Sequence, residues 1–120
     1  MIDKKFAQEF AQEWVSAWNA HDLDAILSHY SDDFEMTSPF ISSVAGGTGN
    51  TLKGKAAVAE YWKVALEKFP DLKFELSDVL VSQYSLIIYY RSVMNKMAAE
   101  IMMFGADGEV VKSIAHYDEI

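Results

Sequence analysis

Apolar residues in the N-terminal segment recur at spacings of three and four: Phe6, Phe10, Trp14, Ala17 and Trp18. Such spacing draws one stripe along a helix, with Gln8, Glu9, Gln12 and Glu13 largely off it. It predicts a first helix over about Lys4 to Asn19. Asp22 has the chemistry of an N-cap for a short second helix, Leu23 to about His29, that buries Leu23, Ile26, Leu27 and Tyr30. The stretch "YSDDFEMTSPF", Tyr30 to Phe40, reads as a turn on Asp32 and Asp33 followed by a short strand ending at Pro39. Within it Phe34, Met36 and Ser38 alternate toward one side. A third helix is predicted from about Lys55 to Phe69, with Val58, Tyr61, Trp62, Ala65, Leu66 and Phe69 on its apolar face and Pro70 as its stop.

Beyond Pro70 the texture changes. Lys73–Ser82, Ser85–Met94, Met97–Phe104 and Val110–Tyr117 are rich in β-branched and aromatic residues and read as strands. Turns are expected at Asn95-Lys96 and Ala106-Asp107-Gly108. Consecutive strands joined by short turns pair antiparallel. The one loop-like block is Ser42 to Gly54. Helices first and strands later predict an α+β domain over residues 1–120, with three helices packed on one face of a curved antiparallel sheet.

Composition narrows the function classes. The 120 residues carry a formal net charge of −8 and no cysteine. Disulfides and thiolate chemistry are excluded. The Lys and Arg residues are scattered, which disfavours nucleic acids and anionic membranes as partners. No apolar run is long enough to span a bilayer. The N-terminus lacks the layout of a secretory leader, so the cytoplasm is the expected location.

The run "WVSAWNAHDLDAILSHYSDDFEMTSP", with "LKGKAAVAEYW" and "GADGEVVKSIAHYDE" further on, resembles the nuclear transport factor 2-like superfamily, in particular its SnoaL-like and ketosteroid isomerase-like branch. The resemblance spans nearly the whole chain. It implies a cone: a bent sheet and three helices around a deep, mostly apolar pocket, with homodimers formed through the sheet. It is specific for fold and says little about activity. Ketosteroid isomerases keep a carboxylate base before the proline, a tyrosine on the first helix and a protonated Asp on a late strand. Those places fall here on Ser38, Trp14 and Glu100. A serine hydroxyl is no base at neutral pH without another base beside it, and an indole N–H can only donate a hydrogen bond.

Glu100 is therefore the candidate acid or base. A turn of two or four residues after Met94 sets Arg91, the only arginine, opposite Glu100; a turn of three sets Tyr90 there instead. An Arg91–Glu100 pair would be either a held carboxylate inside the cone or a cross-strand ion pair on the sheet surface. Burial would raise the Glu100 pKa and Arg91 would lower it. The expected ligand-binding wall comprises Trp14, Trp18, Tyr30, Phe34, Met36 and Ser38, then Tyr61, Trp62, Arg91, Met102, Ser113 and Tyr117. His21 reads as a surface or capping residue, His29 as a neighbour of the pocket rim, and His116 as outward-facing beside the inward Ser113 and Tyr117. No histidine pair has helical metal-site spacing, so neither metal nor cofactor is expected. "AGGTGN" lacks the ending of a phosphate loop and reads as a lip over the pocket mouth. The leading reading is a pocket for a small apolar ligand, with acid–base chemistry of isomerase or cyclase type as one outcome. The alternative is a non-catalytic dimeric domain whose cone is filled by its own side chains.

Overall fold

The structure, a computed structural model, describes residues 1–47 and 49–120. Helix α1 (Lys4–Asn19) begins where the Asp3 carboxylate accepts the Phe6 amide at 2.8 Å, satisfying one of the free donors of the first turn. Its stripe of Phe10, Trp14, Ala17 and Trp18 is buried. Phe6, at the edge of that stripe, stays 39% exposed while its ring meets Phe104 edge-on. Helix α2 (Leu23–Leu27) is capped by Asp22, which accepts from the Ala25 amide at 3.1 Å. In the link between them His21 adopts φ 55°, and its ring bonds the Leu72 carbonyl at 3.0 Å.

Strand β1 (Tyr30–Thr37) takes in Asp32 and Asp33, which were expected to form a turn. Both are exposed, at a register shift against the last strand between Tyr30 and Glu35. Polar side chains suit such a bulge, where the ladder is locally broken; Ser31 donates to Asp33 there at 3.0 Å. The block expected as loop holds two short elements, α3 (Ile41–Ala45) and β2 (Thr51–Lys53). Each is too short to show a period. Ile41 anchors α3 in the core, and β2 pairs antiparallel with Glu35–Thr37. Thr48 lies outside the described residues. Gly54 then turns the chain at φ 93°, a conformation that favours glycine, and donates to Phe34 O at 2.8 Å. Helix α4 (Lys55–Lys68) follows.

The remaining strands are β3 (Glu75–Val81), β4 (Ser85–Arg91), β5 (Met97–Phe104) and β6 (Val110–Tyr117). The sheet has six strands in the order β2-β1-β6-β5-β4-β3. It is curved, as predicted, and β3 to β6 pair antiparallel; β1 alone runs parallel to its neighbour β6. Register shifts in β1, β3 and at the β5–β6 end bend it. Leu86, Ile88, Tyr90, Ala98, Glu100, Met102, Ser113 and Ala115 alternate onto the concave face and are buried. Among the described residues no helix is long and apolar enough to cross a membrane.

Asn19, the last residue of α1, fastens the segment leading into β3. Its side chain accepts the Phe74 amide at 2.6 Å and donates to the Phe74 carbonyl at 3.0 Å. Both backbone groups of Phe74 are thus paired by one side-chain amide, as a neighbouring strand would pair them. Asn19→Ala should lower the unfolding free energy by about 1–3 kcal/mol, read by urea denaturation; a loss below about 0.5 kcal/mol would deny Asn19 that role.

Candidate functional site

The connection between β4 and β5 decides what Glu100 meets. It runs from Ser92 to Lys96 and includes a 3₁₀ turn at Val93–Asn95, with Met94 at φ 56° and Asn95 at φ 57°. β4 consequently ends at Arg91, three residues before the predicted end, and the register places Ile88 opposite Glu100 and Met97 opposite Arg91. Neither expected pairing forms. Arg91 alternates with Ile87 and Tyr89 onto the outer face, where its guanidinium donates to the Asn95 carbonyl at 3.0 Å and ties down the turn. Arg91 is therefore not part of the ligand wall. Glu100 goes inward, and among the described residues no cation stands beside it.

Inside the cone lies a cavity of ≈ 300 Å³, at the lower end of the roughly 300–1,000 Å³ typical of small-molecule sites. The sequence-predicted wall residues brought to it from the helices are Trp14 and Trp18 of α1 and Tyr61 and Trp62 of α4. From the sheet come Tyr30 and Met36, Glu100, and Ser113 with Tyr117. Three predicted members stand behind the wall. Phe34 and Met102 are fully buried, Phe34 against Tyr30 and Trp62, and Met102 under the Tyr30 hydroxyl at 3.9 Å. Ser38 is 1% exposed, and its hydroxyl oxygen accepts the Phe40 amide at 3.3 Å. His29 lies against Phe10 on another face, away from the cavity, and His116 points outward as predicted.

The mouth was the least legible part. Ser43 and Val44 of α3 form its lip, in place of the exposed glycines that follow them. The lining also takes in Lys68 at the end of α4, Phe69 just after it, and Val93 and Met94 of the turn. Phe74, which was missed, and Tyr90, expected only as an alternative neighbour of Glu100, also line the cavity; Trp14 stacks on Phe74 at 5.5 Å and meets Tyr90 edge-on at 5.0 Å. Inward alternation from Ile88 would have found Tyr90. The lip and the turn carry no comparable signal.

The aromatic shell sets the electrostatics. Tyr90 donates to Glu100 Oε1 at 3.3 Å, and Glu100 Oε2 has no hydrogen-bond partner among the described residues. Burial raises the Glu100 pKa to about 8, although the Tyr90 hydrogen bond works against the rise. At pH 7 the neutral acid therefore prevails. Burial, reinforced by the Glu100 charge, also raises Tyr30, Tyr90 and Tyr117 far above an ordinary phenol. Tyr61 is pushed up to about 12 by burial, against the pull of Ser38. All four are hydroxyl donors at any physiological pH. Trp14 spends its indole N–H on the Tyr30 hydroxyl at 2.9 Å, so it offers a ligand only its ring.

A family model described as "SnoaL-like domain" matches residues 11–117. The chain belongs to the SnoaL-like family. Among solved structures it is similar to a SnoaL-like protein of unknown function from Burkholderia thailandensis E264, with 50% identity, 98% of each chain covered and a TM-score of 0.91. An isomerase candidate of the SnoaL-like family from Agrobacterium tumefaciens strain C58 shares 15% identity over 93% of this chain and 97% of its own, with a TM-score of 0.75. An NTF2-like protein of unknown function from Cytophaga hutchinsonii shares 16% identity over 98% and 92%, with a TM-score of 0.69. The latter two show the fold alone. A comparison with curated proteins finds no match.

In this SnoaL-like chain the place before the proline holds a buried hydroxyl, and among the described residues Glu100 is the sole carboxyl group on the cavity wall. Because its folded pKa is raised, the folded state binds a proton that the unfolded chain has released between pH about 4.5 and about 8. Stability from this group is complete below the unfolded value, falls as pH rises through the window, and is level above it. Relative to Glu100→Gln, the wild type should lose stability across that window with a slope of at most about 1.4 kcal/mol per pH unit. Parallel stability–pH curves for the two proteins, measured by denaturant unfolding, would contradict the raised pKa.

Proposed function

We propose that this cavity binds a small, flat, mostly apolar molecule bearing a carbonyl or hydroxyl oxygen, and that Glu100 performs cofactor-independent acid–base chemistry on it, of isomerase or cyclase type. One observation carries the reading: a buried carboxyl oxygen without a partner on the wall of an aromatic cavity. Indole, phenol and phenyl faces supply area for a ring. A neutral Glu100 can donate to a ligand oxygen, and a pKa of about 8 lets the same group take a proton back near neutral pH. Ser38 has no base beside it, so proton removal also falls to Glu100. The isomerase candidate of the same family supports the reaction class as an analogy of fold.

The outer face supports a second part of the proposal, a homodimer through the sheet. Leu80, Ile87, Ile101 and Ile114 stand in one cross-strand row on four neighbouring strands. Leu80 is 55% and adjacent Tyr89 41% exposed. A contiguous apolar sheet face of this kind is normally covered.

The functional test is a calorimetric screen of small cyclic ketones and phenols, followed by NMR of α-proton exchange into deuterated solvent for any ketone that binds. Glu100→Gln should slow that exchange by about 100-fold or more while binding changes less than about tenfold. Unchanged exchange in the variant, or no cavity binder at all, would refute the reading. In sedimentation equilibrium the chain should run at twice its 13.5 kDa mass, and Ile101→Lys should convert it to monomer; a wild-type monomer at micromolar concentration would refute the dimer.

A further inference from the structure

We propose, resting on the function just given, that the cavity continues into an outer subsite built around Lys68 and Lys73, which takes a carboxylate carried by the ligand at the end away from its ring. Next to the cavity of ≈ 300 Å³ lies a cleft of ≈ 420 Å³, and Lys68, Phe69, Leu72, Ser92, Val93 and Met94 line both. The two spaces thus adjoin along the end of α4 and the turn after β4. Pro70, Asp71 and Lys73 complete the cleft. Lys68, Asp71, Lys73 and Met94 are exposed, whereas Glu100 is buried. The cleft is therefore the solvent side of the site, and Glu100 belongs to its interior.

The two spaces differ in charge. Lys68, on their shared border, is the one basic residue that lines the inner cavity among the described residues. The cleft holds two lysines and one aspartate, a local positive excess on a chain of net charge −8. A further cation stands close by: Lys96 Nζ lies 6.0 Å from the ring centroid of Phe40, which also lines the inner cavity. Among the described residues neither Lys68 nor Lys73 has an acidic partner within 4.0 Å.

This separation fixes the direction of entry. A ligand carboxylate set against Glu100 would be a buried charge beside a second acid, with no cation to offset its lost water. In the cleft the same group keeps part of its hydration and meets two ammonium groups. Phe69, Leu72 and Val93 give the apolar part of the ligand a continuous border between the two spaces. Asp71 limits the charge that fits: it repels a dianion such as a phosphate monoester, whereas a single carboxylate matches two lysines less one aspartate.

The test uses an α-tetralone with a carboxymethyl group on its aromatic ring, compared by calorimetry with the methyl ester of the same compound. The ring and the ketone serve the inner cavity in both, so only the outer group differs. At low salt the acid should bind about fivefold or more tighter than the ester, and added salt should narrow that gap. Lys68→Gln should weaken the acid about threefold and Lys68→Glu about tenfold, with the ester changed less than about twofold by either. Lys68 also suits the last turn of α4, where a cation meets the helix dipole; that role alone would change unfolding and leave the ratio of acid to ester affinity untouched. An acid that binds no tighter than its ester would overturn the outer subsite and leave the inner one standing. So would a ratio unmoved when Lys68→Glu and Lys73→Glu are combined. Binding of neither compound would overturn the reading of the inner cavity, and the outer subsite with it.

Discussion

A carboxyl group buried among aromatic rings, with the Tyr90 hydroxyl as its hydrogen-bond donor and no cation beside it among the described residues, sets the character of this cone. Ionising such a group in a dry interior costs far more than one neutral donor returns. The competition has a clear result: burial outweighs the Tyr90 bond, and the acid is mostly neutral at pH 7. A neutral acid with one free oxygen is tolerable in an apolar cavity, yet it is still reactive toward a ligand that brings its own oxygen. The surrounding tyrosines stay protonated too, chiefly through their own burial, so the cavity wall they form is neutral.

That arrangement follows from backbone events well away from the carboxyl. The five-residue connection after β4, with two left-handed residues, shifts the register so that the arginine is carried outward and Glu100 inward. Arg91 then secures the same turn through Asn95, so the residue that might have neutralised the acid instead stabilises the geometry that isolates it. Met94 of that turn is 62% exposed and borders the mouth. A non-glycine residue held in the left-handed region costs of order 1–3 kcal/mol, a cost borne where the cavity opens.

The legible parts of the chain were those with a long period. Trp14, Trp18, Tyr61 and Trp62 lie on helical stripes, and Met36, Ser113 and Tyr117 on strand alternation, and each reaches the cavity wall. The β5 and β6 boundaries also match their apolar runs. Register was not legible, because it depends on how many residues a turn consumes, and Val93-Met94 continues the strand's apolar texture although the backbone has already bent. α3 and β2 were hidden for a different reason: five and three residues cannot display a period, and neighbouring glycines suggested loop. Asp32 and Asp33 misled because the same short polar side chains suit a turn and a bulge alike.

The measurement that bears most directly on this account is the titration midpoint of the Glu100 carboxyl in the wild-type chain, followed by carboxyl-¹³C NMR. A midpoint near 8, with no inflection at Glu100 in the ordinary carboxylate range, is the expected result. A midpoint close to 4.5 would mean that water or a cation reaches the carboxyl, and would contradict the neutral buried acid on which the site depends.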